Sequence, residues 1–101
     1  MKDIINGLDK LLESRVRLGV MSLLTVNEAM DFNVLKESMN LTDGNLASHI
    51  NALEKEKYIK VKKGFIGKKT KTTYSLTEKG RKAFTDHLTA LEVLIKESGA
   101  K

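Results

Sequence analysis

Two runs of apolar residues at helical spacing come within three residues of each other in the middle of this 101-residue chain, and that near-junction restricts the fold more than any other feature. Phe32, Leu35 and Met39 recur at i, i+3 and i+7, and after Asn40-Leu41-Thr42 the spacing resumes with Leu46, Ile50 and Leu53. Asn tolerates the left-handed conformation that closes a helix, and Thr two residues later is a good N-cap for the next. Leu41 and Leu46 stand where a hydrophobic staple would set the entry angle of that next helix, predicted over 43–56. Two helices joined by so tight a turn make a helix-turn-helix.

Around this pair the periodicity predicts further elements. Ile4, Ile5, Leu8, Leu11 and Leu12 predict a short amphipathic helix. Ser14 can cap a second helix with Val16, Val20, Leu23 and Leu24 on one face, Leu18 and Met21 beside them, and an end near Thr25 to Glu28. Met30 and Asp31 fit a single-rung strand. After Tyr58 the period changes from 3.6 to 2. Ile59, Val61, Lys63 and Phe65 face one way and Lys60, Lys62 and Gly64 the other, then Thr72, Tyr74 and Leu76 alternate with Thr73 and Ser75 beyond the turn-forming Gly67. That is a β-hairpin with a basic tip. Thr77 caps a last helix whose Phe84, Leu88, Leu91 and Leu94 or Ile95 form an apolar stripe down to the tail at Ser98 to Lys101. The fold class predicted is α+β, mainly α, in one domain without repeats or linkers.

Composition removes whole classes of function. The absence of cysteine excludes disulfides, thiolate zinc sites and thiol nucleophiles. His49 and His87 are the only histidines and lie on different helices, so no metal site is predicted. There is no nucleophile elbow, no phosphate-binding glycine loop and no histidine paired by spacing with an acid, so neither an enzyme nor a cofactor is implied. The apolar stretches fall far short of the ~20 residues a membrane span needs. Lys2 precedes no secretory-type segment, which points to a cytoplasmic protein without a membrane partner.

The net charge of +5 favours a polyanion, and its placement is more informative than its size. Lys60, Lys62, Lys63, Lys68, Lys69 and Lys71 lie in the hairpin without an acid among them. Such a surface neutralises phosphates, with Lys68, Lys69 and Lys71 at the tip best placed; it also suits a solvated face that guards a sheet edge from aggregation. On the helix after the tight turn, the side opposite the apolar stripe presents Gly44, Ser48, Asn51 and Lys55, with Asn45 on one shoulder and His49 nearer the core boundary. Asn45, Ser48 and Asn51 carry donors and acceptors on short stems that can read base edges. Thr42 is placed for a phosphate, Gly44 lets the backbone approach closely, and Asp43 lies on the first turn, where its charge suits the helix dipole. His49 can donate to a phosphate or base, but its shoulder position favours a packing histidine. Arg15 and Arg17 can clamp the backbone or pair with acids such as Glu13.

The ordered set resembles the winged helix-turn-helix regulators of the MarR and ArsR type, and more closely the small stand-alone winged-helix regulators. The resemblance is carried by Ser14-Arg15-Val16-Arg17-Leu18, by Leu41 to Ile50, by Leu53-Glu54 before Tyr58-Ile59, and by Thr72 to Gly80. It implies a sequence-specific regulator of transcription that binds double-stranded DNA, with the recognition helix in the major groove and the hairpin as a basic wing. The winged core is expected over 14–76, and the terminal helices over 1–12 and 77–98 are expected to build a homodimer. Ile4, Leu8 and Leu11 at one end, and Phe84, Leu88, Leu91, Leu94 and Ile95 at the other, offer more apolar surface than the small core can absorb. Packing of the two terminal helices within one chain is the alternative, as is a protein-interaction module with an acidic partner. Two positions depart from the resemblance: Lys57 stands where such regulators end the recognition helix with Gly, and the wing turn lacks a proline.

Overall fold

Helix starts in this chain are set by short side chains that accept from the backbone. In the computed structural model, which describes residues 5–99, the Ser14 hydroxyl accepts from the Arg17 amide at 3.2 Å and α1 runs over Arg15–Val26. Met30–Asp31 forms β1, and the Asp31 carboxylate accepts from the Val34 amide to start α2 at Phe32–Met39. Asn40 then takes the left-handed conformation, φ 54°, and the Leu41 amide donates to the Lys36 carbonyl. Thr42 accepts from the Asn45 amide at 3.2 Å and opens α3, Asp43–Lys55. The short turn therefore satisfies the backbone groups of both helices that it joins.

α3 ends one residue before the predicted 56, in a Schellman arrangement: the Tyr58 amide donates to the Leu53 carbonyl and the Lys57 amide to that of Glu54, both at 2.9 Å. Lys57 is left-handed, φ 64°, in the place that favours glycine. Lys57→Gly is therefore expected to stabilise the fold by about 0.5 to 1 kcal/mol, partly offset by the greater freedom of glycine in the unfolded chain. An unchanged or lower midpoint in thermal unfolding would contradict this.

The chain continues as β2, Ile59–Ile66, and β3, Lys69–Leu76, with Ile59 opposite Leu76 and Ile66 opposite Lys69. Gly67, at φ 63°, supplies the first position of a two-residue type II′ turn, so the hairpin closes tightly without proline. β1 pairs with β3, Met30 opposite Tyr74, giving an antiparallel sheet in the order β1-β3-β2. The Thr77 hydroxyl accepts from the Gly80 amide, and α4 runs over Glu78–Glu97. The core lies where α1, α2 and α3 meet the base of the sheet: Val20, Met21, Leu35, Leu46 and Leu53 are completely buried, with Leu12, Leu24, Ile50, Ile59 and Phe84 around them.

Two expectations are corrected. The predicted continuous helix up to Leu12 breaks at Gly7, and a 3-10 turn occupies Lys10–Leu12; Ile4 lies outside the described residues. The reason is Asp9, whose carboxylate accepts from the Leu11 amide at one oxygen and from the Tyr58 hydroxyl at the other, 2.9 and 2.5 Å. Its own amide donates to Nδ1 of His87, 2.9 Å away, and so is not spent within a helix. The alternation predicted for β2 also buries side chains only at the base of the wing. Ile59 is buried and Val61 half-buried, but Phe65 and Ile66 are 77% and 62% exposed, because no helix lies beneath the outer half of the hairpin.

Candidate nucleic-acid interface

α3 sorts its residues by face as the 3.6-residue period requires. Leu46, Ile50 and Leu53 hold it in the core, which leaves Gly44, Asn45, Ser48, Asn51 and Lys55 exposed on the outside. Among these five there is no acid. Asp43, on the first turn, has its carboxylate 2.8 Å from Lys36 Nζ, a contact that raises the lysine pKa, while Glu54 is exposed at the edge of the same surface beside Lys55. Thr42 is exposed; its oxygen serves as the cap, and its hydroxyl proton can still be donated outward. A Cβ added at Gly44 would meet nothing within 4 Å, so the chain itself does not require glycine there.

His49 is half-buried and engaged. Arg17 reaches from α1 with Nη1 2.8 Å from His49 Nδ1, while its Nε donates to the Leu11 carbonyl at 2.6 Å. Since a guanidinium only donates, Nδ1 must accept and the remaining ring proton sits on Nε2. Burial, and after it the positive charge of Arg17, lowers the His49 pKa, so the ring is neutral near pH 7. Arg17 does not make the pair with Glu13 that the sequence allowed. Its contacts brace α3 against α1.

The wing carries Lys68, Lys69 and Lys71, all exposed, at and beside the turn. No acid occurs between Glu56 and Glu78. α3 passes into this ribbon through Glu56, Lys57 and Tyr58, with the Glu56 carboxylate 3.3 Å from Lys79 Nζ, so the polar helix face and the basic hairpin leave one corner of the molecule. The corner is fixed from inside: the Tyr58 phenol, whose pKa is pushed well up by burial and then by its bond to Asp9, ties α3 and β2 to the N-terminal segment.

The residues expected at a dimer interface fall into different environments. Phe84 is buried within the single chain, and Leu8, Leu11, Leu91 and Leu94 are half-buried. Leu88 and Ile95 are 43% and 51% exposed, with Val93 beside them. The sequence reading missed the Asp9–Tyr58–His87 contacts. The signal for His87 was its place between Phe84 and Leu91 on the apolar stripe of α4, where a lone polar residue needs a partner.

The family of winged helix DNA-binding domains matches residues 16–95. The chain belongs to that family. As a winged helix DNA-binding regulator it has similar relatives. One is a protein of Methanocaldococcus jannaschii, the uncharacterized protein MJ0432, 42% identical over 79 residues that span 78% of this chain and 86% of the other. A transcriptional regulator homologue of Pyrococcus horikoshii has a similar structure, with a TM-score of 0.83, 30% identity and coverage of 95% of this chain and 93% of its own. The winged helix fold is also shared with PadR of Bacillus subtilis, solved in complex with operator DNA, at a TM-score of 0.66 and 16% identity over 76% of this chain and 48% of PadR.

Proposed function

We propose that this winged helix domain regulates transcription as a homodimer on a pseudo-palindromic duplex site. α3 lies in the major groove, and the wing lysines meet the backbone or minor groove beside it. The observation that carries this reading is the exposed, acid-free face of α3 in continuity with an acid-free basic ribbon. Asn45, Ser48 and Asn51 supply donor and acceptor patterns; Thr42 and the first amides of α3 face a phosphate; Lys55 adds charge at the far end of the helix. His49, with Nδ1 occupied by Arg17, offers Nε2–H as a donor only.

Selection of bound sequences from a random duplex pool tests the reading. A defined motif should emerge, and Asn45→Ala or Ser48→Ala should then lose about 1 to 3 kcal/mol on it with little change on random duplex. Equal loss on both, or a pool without enrichment, would overturn the specific-regulator reading in favour of a module that binds an acidic protein.

For the dimer, the exposed Leu88 and Ile95, with the half-buried Leu91, Leu94, Leu8 and Leu11, form the surface that a second copy would cover. A two-fold pair built on the chain ends would set two recognition helices about 34 Å apart, one turn of DNA. Sedimentation at micromolar concentration should give a dimer, and Leu88→Glu with Leu91→Glu a folded monomer. A monomeric parent chain would contradict the arrangement.

A further inference from the structure

The wing ends in an apolar point. Phe65 and Ile66, adjacent in sequence, are 77% and 62% exposed just before the turn at Gly67. Pairing puts them on opposite faces of the ribbon: Phe65 stands opposite Thr70 and Ile66 opposite Lys69. The last two rungs therefore carry a large apolar side chain on each face, and neither side chain belongs to the core. Single exposed apolar residues are ordinary, but here two stand at the tip of an outer hairpin, residues 62–73, otherwise made of lysine, threonine and glycine.

We propose that Phe65 and Ile66 form a wedge that enters the minor groove of duplex DNA and partly unstacks a base step, bending the duplex around the domain. The proposal rests on the DNA-binding reading above and adds a specificity device to it. Charge complementarity selects the occupant: Lys68, Lys69 and Lys71 surround the point, and a minor groove is a slot walled on both sides by sugars and phosphates, from which apolar side chains can insert between base steps. The groove is about 6 Å wide, too narrow for a two-stranded ribbon with side chains on both faces, so entry has to widen it. Widening by apolar side chains kinks the duplex toward the major groove, the side from which α3 reads it. Pyrimidine–purine steps deform most easily and A-tracts resist, so the wedge selects flexible steps at positions that no hydrogen bond touches.

The test uses the full chain and two end-labelled duplexes of about 30 base pairs, one rich in TpA and CpA steps and one built of A-tracts. The parent chain should raise energy transfer between the ends of the flexible duplex and bind it about five- to tenfold more tightly than the A-tract duplex. Phe65→Ala with Ile66→Ala should lose both effects while the slope of log affinity against log salt stays unchanged, since no charge is removed. Phe65→Leu, which stays apolar, should keep the bend. Steep, salt-dependent binding by the parent chain with no bend and no preference would overturn the wedge and leave the DNA reading intact. No salt-dependent binding to either duplex would overturn that reading first. If the double variant instead binds duplex normally but no longer sediments with phosphatidylserine vesicles that hold the parent chain, the tip serves a membrane surface and the proposal is wrong.

Discussion

The variant with Lys68→Ala, Lys69→Ala and Lys71→Ala is expected to bind any duplex about a hundredfold more weakly than the parent chain near physiological salt. For every phosphate that no longer meets an ammonium group, the slope of log affinity against log salt should flatten by about 0.9, or by about 2.7 for all three. All three ammonium groups are exposed, and among the described residues none of them is in an ion pair, so their charge is available to a partner. An ammonium acts as a point charge on phosphates that are alike at every base pair. The weakening should therefore be the same on preferred and random sequence, leaving the preference itself intact. The melting temperature should hardly move, since all three side chains are exposed. An unchanged salt slope would mean that the wing does not touch the backbone and would remove the main source of affinity in the proposed complex.

Gly80→Ala is expected to be the most destabilising small substitution in the domain. A Cβ at this position in α4 would lie 1.9 Å from the Tyr58 carbonyl oxygen and 2.7 Å from its carbon. Those atoms are backbone and cannot rotate aside. The same carbonyl accepts from the Thr77 amide at 3.1 Å, and the Thr77 hydroxyl donates to the neighbouring Lys57 carbonyl at 2.6 Å, so moving α4 away strains the cap that starts it. Overpacking of this kind costs about 3 kcal/mol, which in a domain of this size lowers the melting midpoint by roughly 12 to 24 °C. A variant that melts within a few degrees of the parent chain would show that α4 and the α3–β2 corner can separate freely.

Most of the architecture was legible in the sequence because it is written in local chemistry. Ser14, Thr42 and Thr77 cap three of the four helices, and the three residues between Met39 and Asp43 can form only a tight turn. The change of period after Tyr58 places the wing, and the outward face of α3 follows from the inward positions of Leu46, Ile50 and Leu53. What was not legible depends on residues distant in the chain. Nothing local announces that Asp9 meets Tyr58 and His87, that Arg17 meets His49, or that Gly80 lies against the Tyr58 carbonyl. The outer wing misled for a related reason: alternation at Lys63 and Phe65 is the pattern of a half-buried strand, but burial needs a neighbour, and α3 ends before it could supply one.

The contacts of Asp9 act as a non-covalent cross-link in a chain that has no cysteine to make a covalent one. Its amide closes a loop to a residue 78 positions away and its carboxylate another to a residue 49 positions away. The entropy cost of closure grows only with the logarithm of loop length, so the longer loop costs little more than the shorter. Because one residue closes both, each closure holds Asp9 in place for the other, and the N-terminal segment, α4 and the corner below the wing are expected to come apart together. The two ends of the chain and the foot of its hairpin thereby share a single melting event.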